Sequence, residues 1–386
     1  MKVVHVGLDL VPSSGGSVVS IRDFSRVTNS DVISFTQTAK LKKEVSFIQD
    51  TIHIETSSGF LGRHFAWAPE YNRRVAMEAI SNADLIVCHI LLRYHVHWVS
   101  AIAKQRNIPY CVVPHGCLDP YVFSYRSFVK KVWFYLFGRP FLKNAASVIY
   151  ATEKEKLKSD RYYDGNNTRV IYWPVEGLDL SRRDHARETI RRKHSIASDD
   201  KVLIYLGRLH SSKRPVQTIT SFAQANVFKT HLLLVGPEET ITKQECLGLA
   251  EKLGVANVHL VGPVYGKEKD DYLLASDAYI SLSLKENFGY TTAEALSAGL
   301  PVILSPGNDL ADELISLDCG WMLKDNQLET AASAISEFSA LSTVQLQKMG
   351  MRGRSWALAN LEFEKFAEQV RKAATDSIEQ FKNAEM

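Results

Sequence analysis

Two glutamates separated by eight positions are the residues best suited to chemistry in this sequence. Glu286 lies in the stretch KENFGYTTAEAL, directly after the apolar run AYISLSL, and Glu294 lies farther along the helix that this stretch predicts. One carboxylate is placed to bind sugar hydroxyls and the other a ribose. The backbone N–H groups of Phe288 and Gly289 begin that helix, where an anion such as phosphate is favoured. The spacing alone is common by chance, so the position between a strand and a helix carries the hypothesis.

Two cations and two glycines also follow predicted strands. Arg208 and Lys213 come directly after the run KVLIYL, where together they can bind a diphosphate and stabilise it as a leaving group. The alternative is two solvated loop charges. Gly15 and Gly16 follow the first strand and precede a predicted helix, so their backbone can approach a phosphate. The loop lacks the G-x-G-x-x-G pattern of dinucleotide-binding proteins, and a simple turn is the alternative.

The elements that must position these residues alternate between short apolar runs and amphipathic stretches. Nearly continuous apolar runs indicate strands buried on both faces of a parallel sheet. The pattern restarts in the second half, so the predicted fold class is α/β with two doubly wound domains. A long amphipathic helix is predicted from about Trp356 to Lys382. The predicted strands are 3–8, 83–90, 110–115, 146–151, 201–209, 230–236, 257–262, 278–284 and 301–305.

Composition excludes several classes of protein. The 386 residues are 45% hydrophobic and 23% charged, which is typical of a globular protein and argues against disorder. Residues 1–175 carry 22 Lys and Arg against 14 Asp and Glu, whereas residues 176–386 carry a net charge of −5. That excess predicts an anionic acceptor or membrane surface and no nucleic acid, since no basic helix or RNA-binding motif accompanies it. Five scattered cysteines without metal-ligand spacing suit reduced thiols, which predicts a cytoplasmic protein.

The segment 121–143 combines nine aromatic residues and five Lys or Arg with no acidic residue. Such a composition suits a membrane interface or a polyprenyl diphosphate acceptor. The alternative is an amphipathic helix whose aromatic side chains fill the core. The segment therefore predicts a peripheral position on the inner face of the cell membrane as one of two interpretations.

Taken together, these residues resemble a known family. The stretch YLGRL followed by Lys213, the E-x7-E pattern from Glu286 to Glu294, and ALSAGLPVI are similar to the retaining glycosyltransferases of family 4. The resemblance covers most of residues 200–305. The stretch PHGCLDP, which contains His115 and Asp119, resembles bacterial enzymes that build O-antigen and exopolysaccharide. The implied fold is GT-B, with two Rossmann-like domains, a cleft between them and a last helix that crosses back to the first domain.

The resemblance implies an activity and a role for each matching residue. A hexose-type sugar would pass from a UDP- or GDP-linked donor to a growing, lipid-linked glycan in bacterial polysaccharide biosynthesis. Residues 1–175, completed by about 357–386, would bind the acceptor, and residues 176–356 the nucleotide-sugar. The implied donor-binding residues are Gly15, Gly16, Arg208, Lys213, Glu286, Asn287, Phe288, Gly289 and Glu294. The implied reaction centre comprises Arg208, Lys213, Glu286 and His115, the last as a positioning group.

Several questions stay open at this point. No D-x-D motif occurs, so we expect a reaction without metal or other cofactor, in which the cations supply the electrostatic stabilisation. Asp119 is a candidate acceptor-binding residue, although a turn cap before Pro120 is slightly favoured. The segment Ser305–Asp309 departs from the family pattern, which leaves the sugar undetermined. The alternatives are a silent nucleotide-sugar-binding scaffold and a GT-B-fold nucleotide-sugar epimerase. The base, the acceptor and the oligomeric state are not predicted.

Overall fold

The chain divides into two units, each organised around a parallel β-sheet. The computed structural model describes residues 1–10, 15–37, 48, 51–124 and 127–385. Unit 1 comprises Met1–Pro174 and Phe363–Met386, and unit 2 comprises Val175–Glu362. The two doubly wound parallel sheets predicted from the sequence are confirmed.

The described part of unit 1 contains a seven-stranded sheet in the order β3-β2-β1-β4-β5-β6-β7, with every neighbouring pair parallel. The strand order reverses between β1 and β4, and ligands bind beside such a point at the carboxyl ends of the strands. β2, β3 and β7 were not predicted; in β2, the polar residues Ser34 and Thr36 interrupt the apolar run. The strands are Val3–Leu8 (β1), Asp31–Gln37 (β2), Ile52–Thr56 (β3), Leu85–His89 (β4), Tyr110–Val113 (β5), Ser147–Tyr150 (β6) and Thr168–Val170 (β7).

The helices of unit 1 connect and cover these strands. A short 3₁₀ turn lies at Arg74–Ala76, and a π-helical turn lies at Phe134–Gly138. The α-helices described here are Gly16–Thr28 (α1), Phe60–Phe65 (α2), Glu70–Arg73 (α3), Met77–Ser81 (α4), Tyr94–Arg106 (α5), Pro120–Ser124 (α6), Ser127–Trp133 (α7), Arg139–Lys143 (α8) and Glu153–Asp160 (α9).

Unit 2 contains a six-stranded parallel sheet in the order β10-β9-β8-β11-β12-β13. Its strands are Lys201–Leu206 (β8), Thr230–Val235 (β9), Val258–Gly262 (β10), Ala278–Ser281 (β11), Val302–Leu304 (β12) and Gly320–Met322 (β13). Its helices are Arg183–Lys193 (α10), Pro215–Ala225 (α11), Lys243–Lys252 (α12), Gly266–Ala275 (α13), Tyr290–Ser297 (α14), Ala311–Leu314 (α15), Leu328–Ala340 (α16) and Thr343–Asn360 (α17), with 3₁₀ turns at Leu180–Arg182, Ser211–Lys213 and Ile315–Leu317.

The predicted single helix over about 356–382 is wrong, since the chain forms two helices there. α17 ends at Asn360, and a separate helix, Phe363–Glu385 (α18), belongs to unit 1. Phe366 of α18 packs edge-on against Phe24 with ring centroids 5.0 Å apart. Ser377 lies 3.3 Å from the Cys111 thiol in β5. The predicted return of the last helix to the first domain is therefore confirmed. Among the described residues, no helix has both the length and the apolar character needed to cross a membrane.

Candidate functional site

In unit 2, the loop between β11 and α14 places Glu286 beside Lys213. The two side chains form an ion pair, and the Ser283 hydroxyl donates to Glu286 Oε1 at 3.1 Å. The backbone N–H of Leu284 donates to the Ser212 carbonyl at 2.8 Å, which ties this loop to the turn that carries Lys213. The lysine and glutamate side chains are 19% and 15% exposed. The pair is thus held in place yet accessible to a ligand.

Arg208 does not share a partner with Lys213. Its guanidinium donates to both carboxylate oxygens of Glu239 at 2.7 Å, and its carbonyl accepts from the Tyr205 hydroxyl at 2.8 Å. The Arg208 and Glu239 side chains are both more than a third exposed, and exposed ion pairs contribute little to stability. A diphosphate can therefore replace Glu239 at small cost. Sequence reasoning missed Glu239, because no regular spacing links it to Arg208.

The second glutamate of the E-x7-E pattern has a separate cationic partner. Glu294 lies on α14, and its Oε1 is 2.6 Å from the ammonium of Lys269 on α13. Burial raises the pKa of Glu294, and the charge of Lys269 opposes that shift. The two glutamates therefore belong to two distinct ion pairs, one on each side of the start of α14. Lys269 was not among the predicted site residues.

The segment that follows β12 packs directly against the Glu286 loop. The Glu286 N–H donates to the Gly307 carbonyl at 2.7 Å, and the Asp309 N–H donates to the Glu286 carbonyl at 3.0 Å. A Cβ atom on Gly307 would lie 2.2 Å from the Ser283 carbonyl oxygen, so only glycine fits this approach. The structure thus brings together the two segments that the sequence analysis linked to sugar selection.

The start of α14 has the backbone geometry expected beside a ligand. Gly289 has a left-handed conformation with φ of 77°, and α14 begins at the next residue. The Phe288 side chain is buried, so only its backbone is suited to meet a phosphate. Asn287 lies in the same loop as predicted. The Asn308 amide nitrogen donates to the Thr292 hydroxyl at 2.8 Å, which fixes the next segment beside Gly289.

In unit 1, the loop that carries His115 is held by a buried carboxylate. Glu155 accepts hydrogen bonds of 2.6 Å from the N–H groups of Gly116 and Ala151. His115 has a positive φ of 51°, and its half-buried ring contacts Trp173. Burial lowers the pKa of His115 to about 3, so the ring is neutral near pH 7. A neutral ring suits the positioning role that the resemblance implies. Glu155 was not predicted.

Positive φ angles collect where strands β1, β4 and β5 end. Besides His115, Asp9, Ile90 and Leu92 have φ values of 47°, 67° and 63°. Left-handed backbone is costly for residues other than glycine and clusters at functional sites, and Ile90 is β-branched. The Ile90 N–H donates to the Val113 carbonyl at 2.9 Å, which holds this conformation. The sequence predicts ligand binding at this edge of the sheet, and the backbone is locally strained there.

The other candidates of unit 1 have simpler surroundings. Gly15 has φ of 79° and Gly16 is the first residue of α1, in the place that a phosphate-binding turn requires. Asp119 accepts from the Tyr121 N–H at 2.8 Å and pairs with Lys158 at 2.8 Å. Its predicted turn-capping contact is therefore confirmed, and both its oxygens are engaged. Its acceptor-binding role stays a prediction.

Part of unit 2 matches the model of a known protein family. Residues 186–356 match the model of "Glycosyl transferases group 1". The chain is 24% identical to the putative teichuronic acid biosynthesis glycosyltransferase TuaC of Bacillus subtilis over 62% of its own length and 57% of that protein. It is 21% identical to the lipopolysaccharide glucosyltransferase WaaG of Escherichia coli over 79% of this chain and 81% of WaaG.

Two further similarities extend over most of the chain. It is 23% identical to the GDP-mannose:cellobiosyl-diphosphopolyprenol alpha-mannosyltransferase of Xanthomonas campestris, covering 87% of this chain and 86% of that enzyme. The crystal structure of Anabaena HepE in complex with UDP and glucose superposes with a TM-score of 0.75 at 18% identity, covering 96% and 99% of the two chains. The chain therefore has the two-sheet fold of GT-B glycosyltransferases, and the part of it that matches the group 1 glycosyltransferase model lies within unit 2.

Proposed function

We propose that the protein is a retaining glycosyltransferase that moves a hexose-type sugar from a UDP- or GDP-linked donor to a lipid-linked glycan in bacterial polysaccharide biosynthesis. The observation that carries this proposal is the pair of ammonium–carboxylate contacts around the start of α14, Lys213 with Glu286 and Lys269 with Glu294. Both glutamates of the E-x7-E pattern are half-buried, and both lie in the segment that matches the group 1 glycosyltransferase model. The names of WaaG and the Xanthomonas mannosyltransferase support a glycan acceptor, and the latter supports a diphosphopolyprenol carrier.

Lys213 connects the sugar-binding and phosphate-binding sides of the proposed site. An ammonium group has three donors, so it can keep its contact with Glu286 and still donate to a diphosphate oxygen. Glu286 then binds hydroxyls of the transferred sugar, and Arg208 adds a second cation for the diphosphate. Cations fixed near the departing oxygen stabilise the charge that develops there in the transition state. Glu294 binds the ribose beside Lys269.

The proposed chemistry is substitution on one face of the sugar. The bond between the anomeric carbon and the phosphate oxygen breaks, and a bond from the acceptor hydroxyl forms on the same face. The acceptor proton passes to the leaving phosphate oxygen, so no side chain is required as general base. The depressed pKa of His115 agrees with this scheme, because a ring with a pKa of about 3 is a weak base. His115, Gly15 and Gly16 keep the positioning and phosphate-binding roles that the resemblance implies.

The segment 121–143 supports a membrane-facing role for unit 1. Its aromatic residues divide between the core and the surface: Phe123, Phe134 and Phe141 are at most 2% exposed, whereas Phe128 and Tyr135 are 79% and 56% exposed. The exposed apolar side chains are Tyr121, Phe128, Val129, Val132, Tyr135, Leu136 and Phe137. The same segment contains three exposed cations, Lys131, Arg139 and Lys143. We propose that this face lies on an anionic bilayer near the lipid-linked acceptor.

Vesicle binding tests this face directly. The protein should sediment with vesicles that contain anionic lipid at low salt and stay in solution with neutral vesicles, because both cations and aromatic side chains are needed. Phe128→Ser with Leu136→Ser should abolish binding, whereas Phe228→Ser, at an equally exposed phenylalanine of unit 2, should not. Equal binding by both variants would contradict the proposal.

Transfer itself is tested with purified protein, a panel of UDP- and GDP-sugars and diphosphopolyprenol-linked acceptors. NMR of the product reads the anomeric configuration, which should match that of the donor. Transfer should continue in EDTA, because cationic side chains stabilise the leaving group. A product of inverted anomeric configuration would overturn the retaining mechanism. Activity that is lost in EDTA and restored by magnesium would overturn metal independence. A thermal-shift panel with nucleotides measures binding, and the product assay measures transfer. Binding without transfer supports a silent scaffold, whereas conversion of the nucleotide-sugar without an acceptor supports an epimerase.

A further inference from the structure

Three histidines of unit 1 form a continuous hydrogen-bonded chain. His5 Nδ1 lies 2.9 Å from His89 Nε2, and His89 Nδ1 lies 3.0 Å from His115 Nε2. At one end His5 Nε2 lies 3.0 Å from the Thr28 hydroxyl, and at the other His115 Nδ1 lies 3.4 Å from the Ser20 hydroxyl. The chain thus makes four contacts between two hydroxyl groups of α1.

The sheet register explains why the three rings meet. His5 pairs with Val87, so His89 lies two residues farther along the neighbouring strand. His89 pairs with Val113, and His115 again lies two residues farther along. Side chains two residues apart share one face of a sheet, so the rings step across that face toward the carboxyl ends of the strands.

The four contacts need more hydrogens than the three histidine rings supply. Each neutral imidazole has a single N–H, so three rings supply three hydrogens for four contacts. At the first end, the Thr28 hydroxyl donates to the Phe24 carbonyl at 2.9 Å, which leaves its oxygen as the acceptor for His5 Nε2–H. At the other end, the Ser20 hydroxyl donates to the Ser17 carbonyl at 2.9 Å. Both hydroxyls donate elsewhere, so the contact lengths distinguish the two ends: 3.0 Å between Thr28 and His5 and 3.4 Å between Ser20 and His115. The longer contact, to His115 Nδ1, is assigned as the one without a hydrogen.

The surroundings keep all three rings neutral. His5 and His89 are fully buried, and Phe24 packs edge-on against His89 with centroids 5.5 Å apart. Burial lowers the pKa of His5 to about 3 and that of His89 well below its usual value, with further lowering from the neighbouring histidines. The chain consequently carries three hydrogens at neutral pH and cannot supply a fourth.

We propose that Thr28, His5 and His89 are positioning residues that fix His115 with a hydrogen on Nε2 and a bare Nδ1, which accepts a hydrogen bond from a hydroxyl group of the substrate. The opposite tautomer would make Nδ1 a donor and would bind a different arrangement of hydroxyls. Thr28 therefore controls the hydrogen-bonding character of a ring at the opposite end of the three histidines. The role in transfer rests on the proposed function, whereas the tautomer itself does not.

The tautomer is measured without any substrate. Long-range proton–nitrogen NMR of ¹⁵N-histidine protein near pH 7 distinguishes a protonated from a bare ring nitrogen, and His115→Gln identifies the signals of that ring. We expect His115 to show a bare Nδ1 and a protonated Nε2. A protonated Nδ1 on His115, or a charged ring, would overturn the proposal whatever the activity of the protein.

Variants at the far end of the chain test its control over His115. Thr28→Val removes the acceptor of His5 Nε2–H, so the chain should reverse and place a hydrogen on His115 Nδ1. Thr28→Ser keeps the hydroxyl and should behave as wild type. In the transfer assay, Thr28→Val should lower kcat about tenfold, equivalent to about 1.4 kcal/mol, with little change in donor KM. An unchanged tautomer and kcat in Thr28→Val would overturn the proposal. Absence of transfer by wild type would instead overturn the proposed function, and the NMR result would still stand.

Discussion

The ion pairs of unit 2 and the histidine chain of unit 1 organise polar groups at strand ends in opposite ways. In unit 2, Lys213 with Glu286 and Lys269 with Glu294 are charged and partly exposed, so a charged ligand can exchange with one partner. In unit 1, the rings of His5 and His89 are buried, neutral and bonded to one another. The contrast is between exchangeable charges in unit 2 and a fixed pattern of hydrogen-bond donors and acceptors in unit 1.

The largest expected effect comes from Glu286→Gln. This variant keeps the shape of the side chain but removes the charge that binds sugar hydroxyls and pairs with Lys213. We expect transfer to become undetectable while nucleotide affinity falls only modestly. Isothermal titration with UDP and GDP, together with the transfer assay, measures both quantities. Wild-type transfer by this variant would show that Glu286 lies outside the sugar site.

Lys213→Ala should have the next largest effect. Loss of the ammonium removes stabilisation of the leaving diphosphate, which we expect to lower kcat by about 10²–10³, equivalent to about 3–4 kcal/mol. Lys243→Ala makes the same change of charge at an exposed position of α12 and serves as the matched control. Equal kcat values for the two variants would remove Lys213 from the proposed mechanism.

Acid should destabilise the folded protein through the buried histidines of unit 1. His5 and His115 have pKa values of about 3 in the folded protein, whereas unfolded histidines titrate near 6.5. Below pH 6.5 the unfolded protein binds protons that the folded protein excludes, so stability falls as pH falls from about 6.5 toward about 3. Each such histidine contributes a loss of up to about 1.4 kcal/mol per pH unit.

Denaturant unfolding monitored between pH 7.5 and 4.5 measures this loss. His5→Gln should make the pH dependence shallower by one proton, and the exposed His185→Gln should leave it unchanged. If wild type and His5→Gln showed the same pH dependence, His5 would not be held neutral in the folded protein.

The smallest expected effect concerns Arg208 and Glu239. Because this pair is exposed, Glu239→Gln should release Arg208 for the donor diphosphate and lower donor KM about two- to threefold at low salt. The effect should disappear at high salt, where exposed charges are screened. Glu238→Gln changes the charge equally at the adjacent residue and is the control. Donor titrations at two salt concentrations measure KM for both variants. A raised donor KM for Glu239→Gln at low salt would contradict the expectation.

The sequence predicted the two sheets because buried parallel strands form continuous apolar runs. It missed β2, where Ser34 and Thr36 are buried and bonded to each other at 2.6 Å, since buried polar pairs interrupt that signal. It also predicted where Glu286 and Glu294 would lie, because both follow a recognisable strand. It could not predict Glu239 or Lys269 as partners, because side-chain pairing between separate loops leaves no periodic pattern.

The histidine chain shows a signal that sequence analysis contained but did not use. His5, His89 and His115 all lie within predicted strands, at 3–8, 83–90 and 110–115. Their alignment became visible only with the register of three neighbouring strands, which apolar runs do not specify. Histidines at the ends of adjacent parallel strands are therefore worth comparing once a sheet order is assumed.

The return of α18 to unit 1 has a consequence for synthesis on the ribosome. Unit 2 is continuous in sequence, so all of its residues have been made before translation of α18 begins. Unit 1 receives Phe366, Ala367 and Val370, all buried, only with that last helix. The half of the protein that is translated first is thus the half that matures last, and its β5 face requires protection from aggregation until then.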